Sequence, residues 1–377
     1  MNSEKLCFVV NDIEFFLSHR MDLAIALSRS YEINIISNFV NAPSKCLKAI
    51  QENNFEIHNL SSRNRSRFVF GFIEYLKNLK RLLNTIEPKY ILFVTLELSF
   101  MGAIVHHFIK TKKVLFLITG LGPFFNKTEV RYRLIKILQK IVFSSLKFKQ
   151  NYLFIFQNSD DLKLFITQKF VKKSHTMIIR GNGINMHDYC FLERKFKKNL
   201  TFLFASRLVQ SKGIMEFIDA ANIILKKYPT SKFLIAGKYD DLNPESISNS
   251  AFKNIASDIS ISYLGNLSQI ELKEYFYKSS VFVMPSYGEG LPKVVLEAAA
   301  TGLPIIATNV NGCRECVMPN YNGLLIEPMN ALSLAEAMEI CILNTLKLSQ
   351  YSKNSYEMIK NEFSIELISK EYFKALN

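Results

Sequence analysis

Short runs of consecutive apolar residues alternate along the chain with longer segments of helical periodicity. In the first half, seven of these runs are rich in β-branched or aromatic side chains, which is typical of strands buried on both faces. We predict strands at 6–10, 33–37, 55–60, 90–95, 114–119, 152–156 and 176–179. Amphipathic segments at 15–29, 69–84 and 131–147 lie between them. Repeated strand–helix units predict a parallel sheet with helices on both faces, which is a doubly wound α/β domain.

The alternation starts again after a lysine-rich polar stretch at 194–199, which we predict to be a linker. Further strands are predicted at 202–205, 233–236, 259–264, 281–284 and 304–307, with helices at 213–227 and 291–300. A chain of 377 residues fits two domains, because one domain commonly takes roughly 100 to 200 residues. We predict domains at 1–198 and 199–377 with a cleft between them, and we expect the last helical stretch, 364–376, to cross back to the first domain.

Composition excludes several classes of protein. Hydrophobic residues make up 49% of the chain and charged residues 21%, which excludes a largely disordered chain. The most apolar stretch, 90–109, contains Glu97, His106 and His107, so we predict no transmembrane helix there. Six scattered cysteines and the lack of an apolar leader predict a cytoplasmic protein. The pair Cys313 and Cys316 has no further metal ligands at suitable spacing, so we predict thiols of the core or surface.

Positive charge is concentrated in the first domain. Residues 1–198 hold 31 Lys and Arg against 15 Asp and Glu, whereas residues 199–377 hold 16 against 18. The segment 127–149 carries seven Lys or Arg among apolar residues, with Glu129 as its one acid, and predicts a basic amphipathic helix. Such a helix suits an anionic membrane surface, and Arg63, Arg65 and Arg67 add a second basic cluster. A helix with one buried and one solvated charged face is the alternative.

Two carboxylates stand out in the segment 285–297, which follows a predicted strand and begins a helix. Glu289 and Glu297 are eight positions apart, which on a continuous helix is a rise of about 12 Å and slightly over two turns. We therefore expect them to hold two ends of one long ligand. Gly288 and Gly290 permit close approach of the backbone, and the N–H groups at the start of the helix suit a phosphate. An exposed glutamate beside an ordinary N-terminal carboxylate is the alternative.

Two cations, Arg207 and Lys212, follow the end of another predicted strand. In open α/β sheets this is the position where ligands bind. Arg engages phosphate oxygens through two parallel bonds and Lys acts as a compact charge, so the two together suit a diphosphate. Two solvated loop cations are the alternative.

Four blocks in the second half occur in the order of one known family. They are Ala205-Ser-Arg-Leu with Lys212-Gly213, the Glu289-x7-Glu297 spacing, the run from Glu297 to Thr308, and Asn322-Gly-Leu-Leu. Together they resemble glycosyltransferase family 4, which implies a retaining enzyme of the GT-B fold. The segments 15–20, 119–125 and 182–185 are similar to members that make bacterial surface polysaccharides such as O-antigen and capsule. Among these, the chain most resembles transferases acting on undecaprenyl-diphosphate-linked sugars, including N-acetylgalactosaminyltransferases.

The resemblance implies a role for each matching residue. Arg207 and Lys212 hold the diphosphate of a UDP-sugar, Glu289 contacts the transferred sugar, and Glu297 binds the ribose. The phosphate is surrounded by Gly290, Leu291 and Pro292. No metal is expected, because two cations and a helix N-terminus supply its charge, and no Asp-x-Asp motif occurs. The second domain is then the nucleotide-sugar-binding domain, and the first is the acceptor-binding, membrane-facing domain.

The acceptor site departs from the family pattern. Many members carry a histidine after a first-domain strand, and the matching position here is Thr119 or Gly120. His19 and Arg20 are the expected ligands of the acceptor phosphate, with Gly120 and Gly122 in the facing loop. The usual Gly-Gly of the first loop is missing.

The sequence thus predicts a transferase that moves a hexose or N-acetylhexosamine from a UDP-sugar to a lipid-linked saccharide. It would sit peripherally on the inner face of the cell membrane. Transfer to a soluble acceptor and a catalytically idle sensor of sugar nucleotides are alternatives. A nucleic-acid-binding protein is a further alternative, because the sequence pI is 9.3. Against it, no RNA- or DNA-reading motif surrounds the cations.

Overall fold

Strands and helices alternate along nearly the whole chain in a computed structural model, which describes residues 4–39, 42–60, 70–121, 129–240, 243, 245–257 and 261–377. The chain divides into two units. The first comprises Met1–Gly183 together with Ile365–Asn377, and the second comprises Ile184–Ser364. Each unit contains one parallel sheet with helices on both of its faces.

The first unit contains a seven-stranded sheet. Its strands are β1 (Glu4–Asp12), β2 (Tyr31–Asn38), β3 (Glu56–Asn59), β4 (Tyr90–Val94), β5 (Lys113–Ile118), β6 (Tyr152–Phe156) and β7 (Thr176–Ile178). The spatial order is β3-β2-β1-β4-β5-β6-β7, and every neighbouring pair is parallel. Alternate residues of β1 enter opposite cores, Leu6 and Phe8 on one face and Cys7 and Val9 on the other. This period of two explains why the strands are apolar throughout.

Eight described helices cover this sheet. They are α1 (Ile13–His19), α2 (Met21–Leu27), α3 (Ser44–Glu52), α4 (Phe70–Ile86), α5 (Leu96–His106), α6 (Val130–Ser145), α7 (Ser159–Thr167) and the last helix of the chain, α15 (Ile365–Leu376). The single helix predicted at 15–29 is two helices, because the backbone at Arg20 (φ −126°, ψ −11°) leaves the helical conformation. Helix α15 packs on α2 and buries Ile368, Tyr372 and Leu376 in the core of the first unit.

The second unit contains a six-stranded sheet. Its strands are β8 (Thr201–Ala205), β9 (Lys232–Ala236), β10 (Ile261–Tyr263), β11 (Val281–Met284), β12 (Ile305–Thr308) and β13 (Gly323–Ile326). The order is β10-β9-β8-β11-β12-β13, again entirely parallel. Its helices are α8 (Ile214–Lys227), α9 (Asn249–Ser257), α10 (Gln269–Lys278), α11 (Lys293–Ala300), α12 (Asn311–Cys316), α13 (Ala331–Leu343) and α14 (Thr345–Met358). Strand β13 was not predicted, since it is short and begins with a glycine.

The predicted linker at 194–199 is wrong. Residues 184–198 belong to the second unit, and the Arg194 guanidinium is buried there. It donates to the Thr301 carbonyl (Nη1, 2.7 Å) and to the Phe276 carbonyl (Nη2, 3.0 Å). Burial lowers the pKa of Arg194 to about 10. The stretch is polar in sequence, but its arginine ties it to the unit that it enters.

Candidate functional site

The order of the second sheet changes direction between β8 and β11. The loops that leave the carboxyl ends of these two strands, residues 206–213 and 285–292, are eight residues long each. Ligands of open α/β sheets bind in the crevice outside such a switch point. Arg207, Lys212 and Glu289 all lie on these two loops.

The two loops approach each other closely. A Cβ on Gly213 would lie 2.1 Å from the Pro285 carbonyl oxygen, so only glycine fits at this position. Gly213 also has a φ of +72°, in the left-handed region that glycine adopts at little cost. The Tyr287 N–H donates to the Ser211 carbonyl at 2.9 Å. These contacts fix the distance between the loop that carries Lys212 and the loop that carries Glu289.

Lys212 and Glu289 form a direct ion pair. The Nζ–Oε1 distance is 2.5 Å, and the two side chains are 17% and 11% exposed. Lys212 ends a short 3₁₀ turn, Gln210–Lys212, while Glu289 lies 77 residues further along the chain. Because both charges are largely withdrawn from water, each one depends on the other for compensation. The fold therefore places a cation and a carboxylate together at the switch point.

A third loop holds the Glu289 segment from the other side. The Gly312 N–H donates to the Glu289 carbonyl at 3.2 Å, and a Cβ on Gly312 would lie 2.3 Å from the Gly290 carbonyl oxygen. The buried Thr308 hydroxyl donates to the Ser286 carbonyl. The backbone of 286–290 is thus fixed by contacts from the end of β12 and the start of α12.

Glu297 occupies a buried position on α11 and has two partners that the sequence analysis missed. Its Oε1 lies 3.1 Å from Lys293 Nζ and accepts a hydrogen bond from Gln269 Nε2 at 3.0 Å. The i,i+4 spacing of Lys293 and Glu297 was a signal that could have been used. Gln269 lies on α10, and nothing in the sequence pattern indicated it.

The two glutamates do not share a helix, so the predicted rise of about 12 Å between them does not apply. Helix α11 begins at Lys293, with Pro292 as its N-cap. Glu289 therefore lies in the loop, and Gly290 and Leu291 separate it from Pro292. Since proline offers no side-chain acceptor, no side-chain cap satisfies the first turn of α11.

Arg207, Cys313 and Cys316 belong to the segments that carry or contact the loops of the ion pair. Arg207 lies in the same loop as Lys212 with an exposed side chain. Cys313 is fully buried, and burial, together with the nearby Glu289 carboxylate, raises the pKa of its thiol to about 12. Cys316 is also buried, and its Sγ donates to the Gly312 carbonyl at 3.2 Å. Both thiols of the pair thus belong to the core and stay protonated near neutral pH.

The predicted site residues of the first unit lie on separate segments of the chain. His19 is half-buried, lies 2.7 Å (Nδ1) from the Ser18 hydroxyl and stacks on Phe15. Gly120 follows β5 with a φ of +148°. Gly122, Arg63, Arg65 and Arg67 lie outside the described residues.

The predicted role of Arg20 in binding an acceptor phosphate is corrected, because its side chain does not reach the surface. The residue is 1% exposed, and its Nε and Nη1 have no hydrogen-bond partner among the described residues. Burial lowers its pKa, which the adjacent Tyr372 of α15 partly opposes. We therefore withdraw Arg20 as a ligand of an acceptor phosphate.

His106, the last residue of α5, and His107, the next residue, both make contacts within the first unit. His106 is buried and its Nε2 lies 3.1 Å from Asn151 Oδ1. Burial, with a contribution from Lys149, lowers the pKa of His106 to about 4. His107 contacts the Ser145 hydroxyl at 2.8 Å, and burial lowers its pKa as well. Both imidazoles therefore make contacts within the first unit.

None of the described helices is both long and apolar enough to cross a membrane. Among all described residues, no group of three or more His, Cys, Asp or Glu has an arrangement that could hold a metal ion.

Comparison of sequences connects the second unit to a known family. Residues 191–358 match the family model for glycosyl transferases of group 1. The chain is 29% identical over 270 residues to the N,N'-diacetylbacillosaminyl-diphospho-undecaprenol alpha-1,3-N-acetylgalactosaminyltransferase of Campylobacter jejuni, an alignment covering 68% of each protein. It is 27% identical over 220 residues to the UDP-Gal:alpha-D-GlcNAc-diphosphoundecaprenol alpha-1,3-galactosyltransferase of Escherichia coli, covering 55% of each.

Solved structures agree in fold over the whole chain. Sucrose-phosphate synthase from Thermosynechococcus elongatus superposes with a TM-score of 0.79 at 17% identity, covering 98% of both chains. HepE of Anabaena, crystallised with UDP and glucose, gives a TM-score of 0.77 at 17% identity, covering 99% of both chains. At such identities the likeness establishes the fold alone.

Proposed function

Because the chain belongs to the glycosyl transferases of group 1 and has the GT-B fold that its motifs predicted, we propose that it is a retaining transferase. It moves a hexose or N-acetylhexosamine from a UDP-sugar to a saccharide carried on undecaprenyl diphosphate. The observation that carries this proposal is the Lys212–Glu289 pair at the switch point of the second sheet. A carboxylate and a cation in contact there are suited to a ligand that joins a sugar to a diphosphate.

Lys212 and Arg207 bind the diphosphate of the donor in this proposal. A lysine ammonium has three N–H donors, so Lys212 can keep its bond to Glu289 while it donates to a phosphate oxygen. Arg207, exposed in the same loop, supplies a planar fork for a second oxygen. Helix α11 begins nearby without a side-chain cap, and its first N–H groups favour an anion. Gly290, Leu291 and Pro292 precede that helix and surround the phosphate.

Glu289 and Glu297 bind the two ends of the donor. Glu289, held by Lys212, accepts hydrogen bonds from hydroxyls of the transferred sugar. Glu297 accepts them from the ribose. Its Oε1 is already oriented by Lys293 and Gln269, so the carboxylate keeps one direction before the ligand binds.

The reaction proceeds by front-side attack on the anomeric carbon. An acceptor hydroxyl oxygen forms the new bond to that carbon as the bond to the UDP oxygen breaks, and the electron pair of that bond goes to UDP. The departing phosphate oxygen takes the acceptor proton. Attack and departure share one face, so the configuration is retained and no dedicated base is needed. Lys212 and Arg207 stabilise the charge that grows on UDP.

No metal ion is part of the proposed mechanism. The two cations and the N-terminus of α11 place positive charge where a divalent ion would otherwise act as a Lewis acid. Turnover should therefore persist in EDTA. Loss of turnover in EDTA and its return with manganese would overturn this part of the proposal.

The acceptor assignment is supported by the relatives. Two relatives bear names that specify diphospho-undecaprenol sugars as acceptors, and a third is named as a capsular polysaccharide glycosyltransferase. By analogy, the protein acts peripherally on the inner face of the cell membrane in the synthesis of a surface polysaccharide such as capsule or O-antigen. His19 is the remaining described candidate for a contact with the acceptor phosphate.

The decisive experiment is a panel of UDP-sugars offered with an undecaprenyl-diphosphate-linked sugar in detergent. We expect one donor to add the mass of a single hexose or N-acetylhexosamine to the lipid product. A parallel reaction contains a soluble saccharide instead of the lipid. Transfer only to the soluble saccharide would overturn the acceptor assignment. In a filter-binding assay, retention of plain RNA by the protein with no response to UDP would overturn the enzyme assignment.

A further inference from the structure

The side chain of Tyr287 makes a contact that no step of the proposed mechanism uses. Its hydroxyl donates to Glu216 Oε1 at 2.6 Å. Glu216 lies in the first turn of α8, four positions after Lys212. Tyr287 lies two positions before Glu289. The hydrogen bond therefore joins the helix that follows one loop of the site to the middle of the other loop.

Tyr287 contacts the chain on both sides of Lys212. Its backbone N–H donates to the Ser211 carbonyl at 2.9 Å on one side, and its hydroxyl reaches Glu216 on the other. Lys212 itself is paired with Glu289 at 2.5 Å. Because Tyr287 and Glu289 share one short loop, the position of the Tyr287 ring determines where the Glu289 carboxylate meets Lys212.

The Tyr287 hydroxyl is a permanent donor in this contact. Burial, together with the hydrogen bond to Glu216, raises the pKa of Tyr287. The phenol therefore stays protonated near neutral pH. A hydrogen bond from a hydroxyl to a carboxylate is also stronger and more directional than one between two neutral groups. The contact is thus suited to hold the ring in one orientation.

Stability alone does not explain the presence of Glu216. Its Oε2 is buried with no hydrogen-bond partner among the described residues. A buried acceptor without a donor lowers stability, and an apolar pair of similar shape would avoid this cost. The N-terminus of α8 offsets part of the negative charge, because Glu216 lies in its first turn. A carboxylate at such a position indicates that its hydrogen bond to Tyr287 has a use.

The other end of α8 carries a second bond between a tyrosine and a glutamate. The Tyr228 hydroxyl donates to Glu339 Oε1 at 2.9 Å. Here the second oxygen also has a partner, because Lys227 Nζ lies 3.3 Å from Glu339 Oε2. Tyr228 and Glu339 both lie outside the two loops of the site. This pair has the same chemistry without a link to the site, so it provides an internal control.

We propose that Tyr287 and Glu216 are positioning residues, whose hydrogen bond holds the Glu289 carboxylate in the place that the transferred sugar requires. This inference rests on the proposed function, in which Glu289 contacts that sugar. Neither positioning residue touches the donor. The ribose end of the donor is held separately by Glu297 on α11, so loss of the hydrogen bond should disturb the sugar more than the nucleotide.

The test compares Tyr287→Phe with Tyr228→Phe, because each substitution removes one hydroxyl that donates to a glutamate. For both variants, kcat with the best UDP-sugar, the dissociation constant of UDP and the melting temperature are measured. We expect kcat to fall about tenfold in Tyr287→Phe, since a small misplacement of a sugar-binding group costs a factor of this order. The dissociation constant of UDP should stay within about twofold of wild type. Tyr228→Phe should keep the wild-type kcat.

Two substitutions of Glu216 separate positioning from stability. Glu216→Gln keeps a carbonyl oxygen that accepts from the Tyr287 hydroxyl, so its kcat should stay within about threefold of wild type. Glu216→Leu removes the acceptor and should lower kcat as much as Tyr287→Phe does. The double variant Tyr287→Phe/Glu216→Leu should be no slower than either single variant, because both substitutions break the same bond.

Two outcomes would overturn the proposal. A wild-type kcat in Tyr287→Phe would remove the positioning role and leave the proposed function standing. Equal losses of kcat and of melting temperature in Tyr287→Phe and Tyr228→Phe would assign both bonds to stability. Failure of the proposed function gives a different result. Transfer from another nucleotide sugar, or only to a soluble saccharide, would refute the donor or acceptor assignment, and a selective loss of that transfer in Tyr287→Phe would still support the positioning role.

Discussion

The two sheets of the protein have the same kind of switch point, but the chain leaves them differently. In the second unit, loops of eight residues separate β8 from α8 and β11 from α11. In the first unit, α1 follows β1 directly, and only Thr95 separates β4 from α5. Asp12 and Thr95 there cap their own helices. The longer loops give charged side chains the room to converge, whereas the short connections commit their polar groups to the fold.

The ionisable groups of the two units also differ in their surroundings. Lys212 and Glu289 are paired with each other at a place that ligands reach in related folds. In the first unit, Arg20 and His106 are buried and lie against residues of their own unit. The comparison predicts that substitutions in the second unit's loops abolish chemistry, and that those in the first unit alter stability and its pH dependence.

Among these predictions, the largest effect is expected for Lys212→Ala, which tests the role of the second unit's loops. We expect turnover to fall by about 10² to 10³, because an electrostatic donor to a developing charge contributes roughly that factor. The fold should remain intact, since the sheet core does not include this side chain. Circular dichroism and turnover with the best UDP-sugar provide the measurement.

Lys226→Ala is the matched control, as it removes an exposed lysine at the far end of α8. Its rate should equal that of wild type. A near-normal rate in Lys212→Ala would refute the role of the ion pair.

The second prediction tests the close approach of the two loops. Gly213→Ala adds a Cβ 2.1 Å from the Pro285 carbonyl oxygen at a φ of +72°. We expect the free energy of unfolding to fall by about 3 kcal/mol, from the left-handed backbone and the overpacking together. Urea denaturation measures it.

Gly265→Ala isolates the backbone term, because Gly265 has a φ of +79° and open space around it. It should lose only about 1 kcal/mol. Equal losses at the two glycines would show that the loops are not in tight contact.

The third prediction concerns pH and the first unit. The pKa of His106 is about 4 in the folded protein and 6.5 in a model peptide. Between these values the unfolded chain binds a proton that the folded chain does not, so the stability present above pH 6.5 is lost as the pH falls towards 4. The loss should approach about 3 kcal/mol at pH 4. His106→Gln should show a shallower decline of the free energy of unfolding in this window.

The exposed His187 provides the control for this measurement. His187→Gln should keep the wild-type slope. If His106→Gln and His187→Gln decline in parallel, the buried histidine is not the cause.

The smallest effect is expected for Arg20→Met. An apolar side chain of similar length removes two buried donors that lack partners among the described residues. We expect the free energy of unfolding to change by about 1 kcal/mol or less, in either direction. Turnover with the lipid acceptor should match wild type. Large loss of turnover with an unchanged melting temperature would restore Arg20 as an acceptor ligand.

Most of the fold could be predicted from the sequence, because the strands of both sheets are apolar on both faces. Each of the twelve predicted strands overlaps a strand of the structure, and the missed β13 has a single glycine and three apolar residues as its only signal. The candidate site could be predicted less completely. Lys212 and Glu289 were both singled out, but their contact depends on two glycines 99 residues apart, Gly213 and Gly312, whose neighbours only the fold reveals.

The remaining errors have one physical source, which is that polarity in the sequence does not report burial. Arg194 looked like part of a linker and Arg20 like a surface ligand, yet both guanidinium groups are in the interior. Lysine at a helix start, as at Lys293, is unfavourable to the helix dipole and is compensated here by Glu297. Periodicity alone indicated the right helix but not this pairing.

Helix α15 gives the first unit an unusual order of assembly. Residues that complete its core, such as Ile368 and Tyr372, leave the ribosome only after the entire second unit has been synthesised. Until then α2 has an uncovered apolar side, and the nascent first unit is incomplete while its neighbour is free to fold. The first unit therefore gains its complete core only after the second unit has been synthesised.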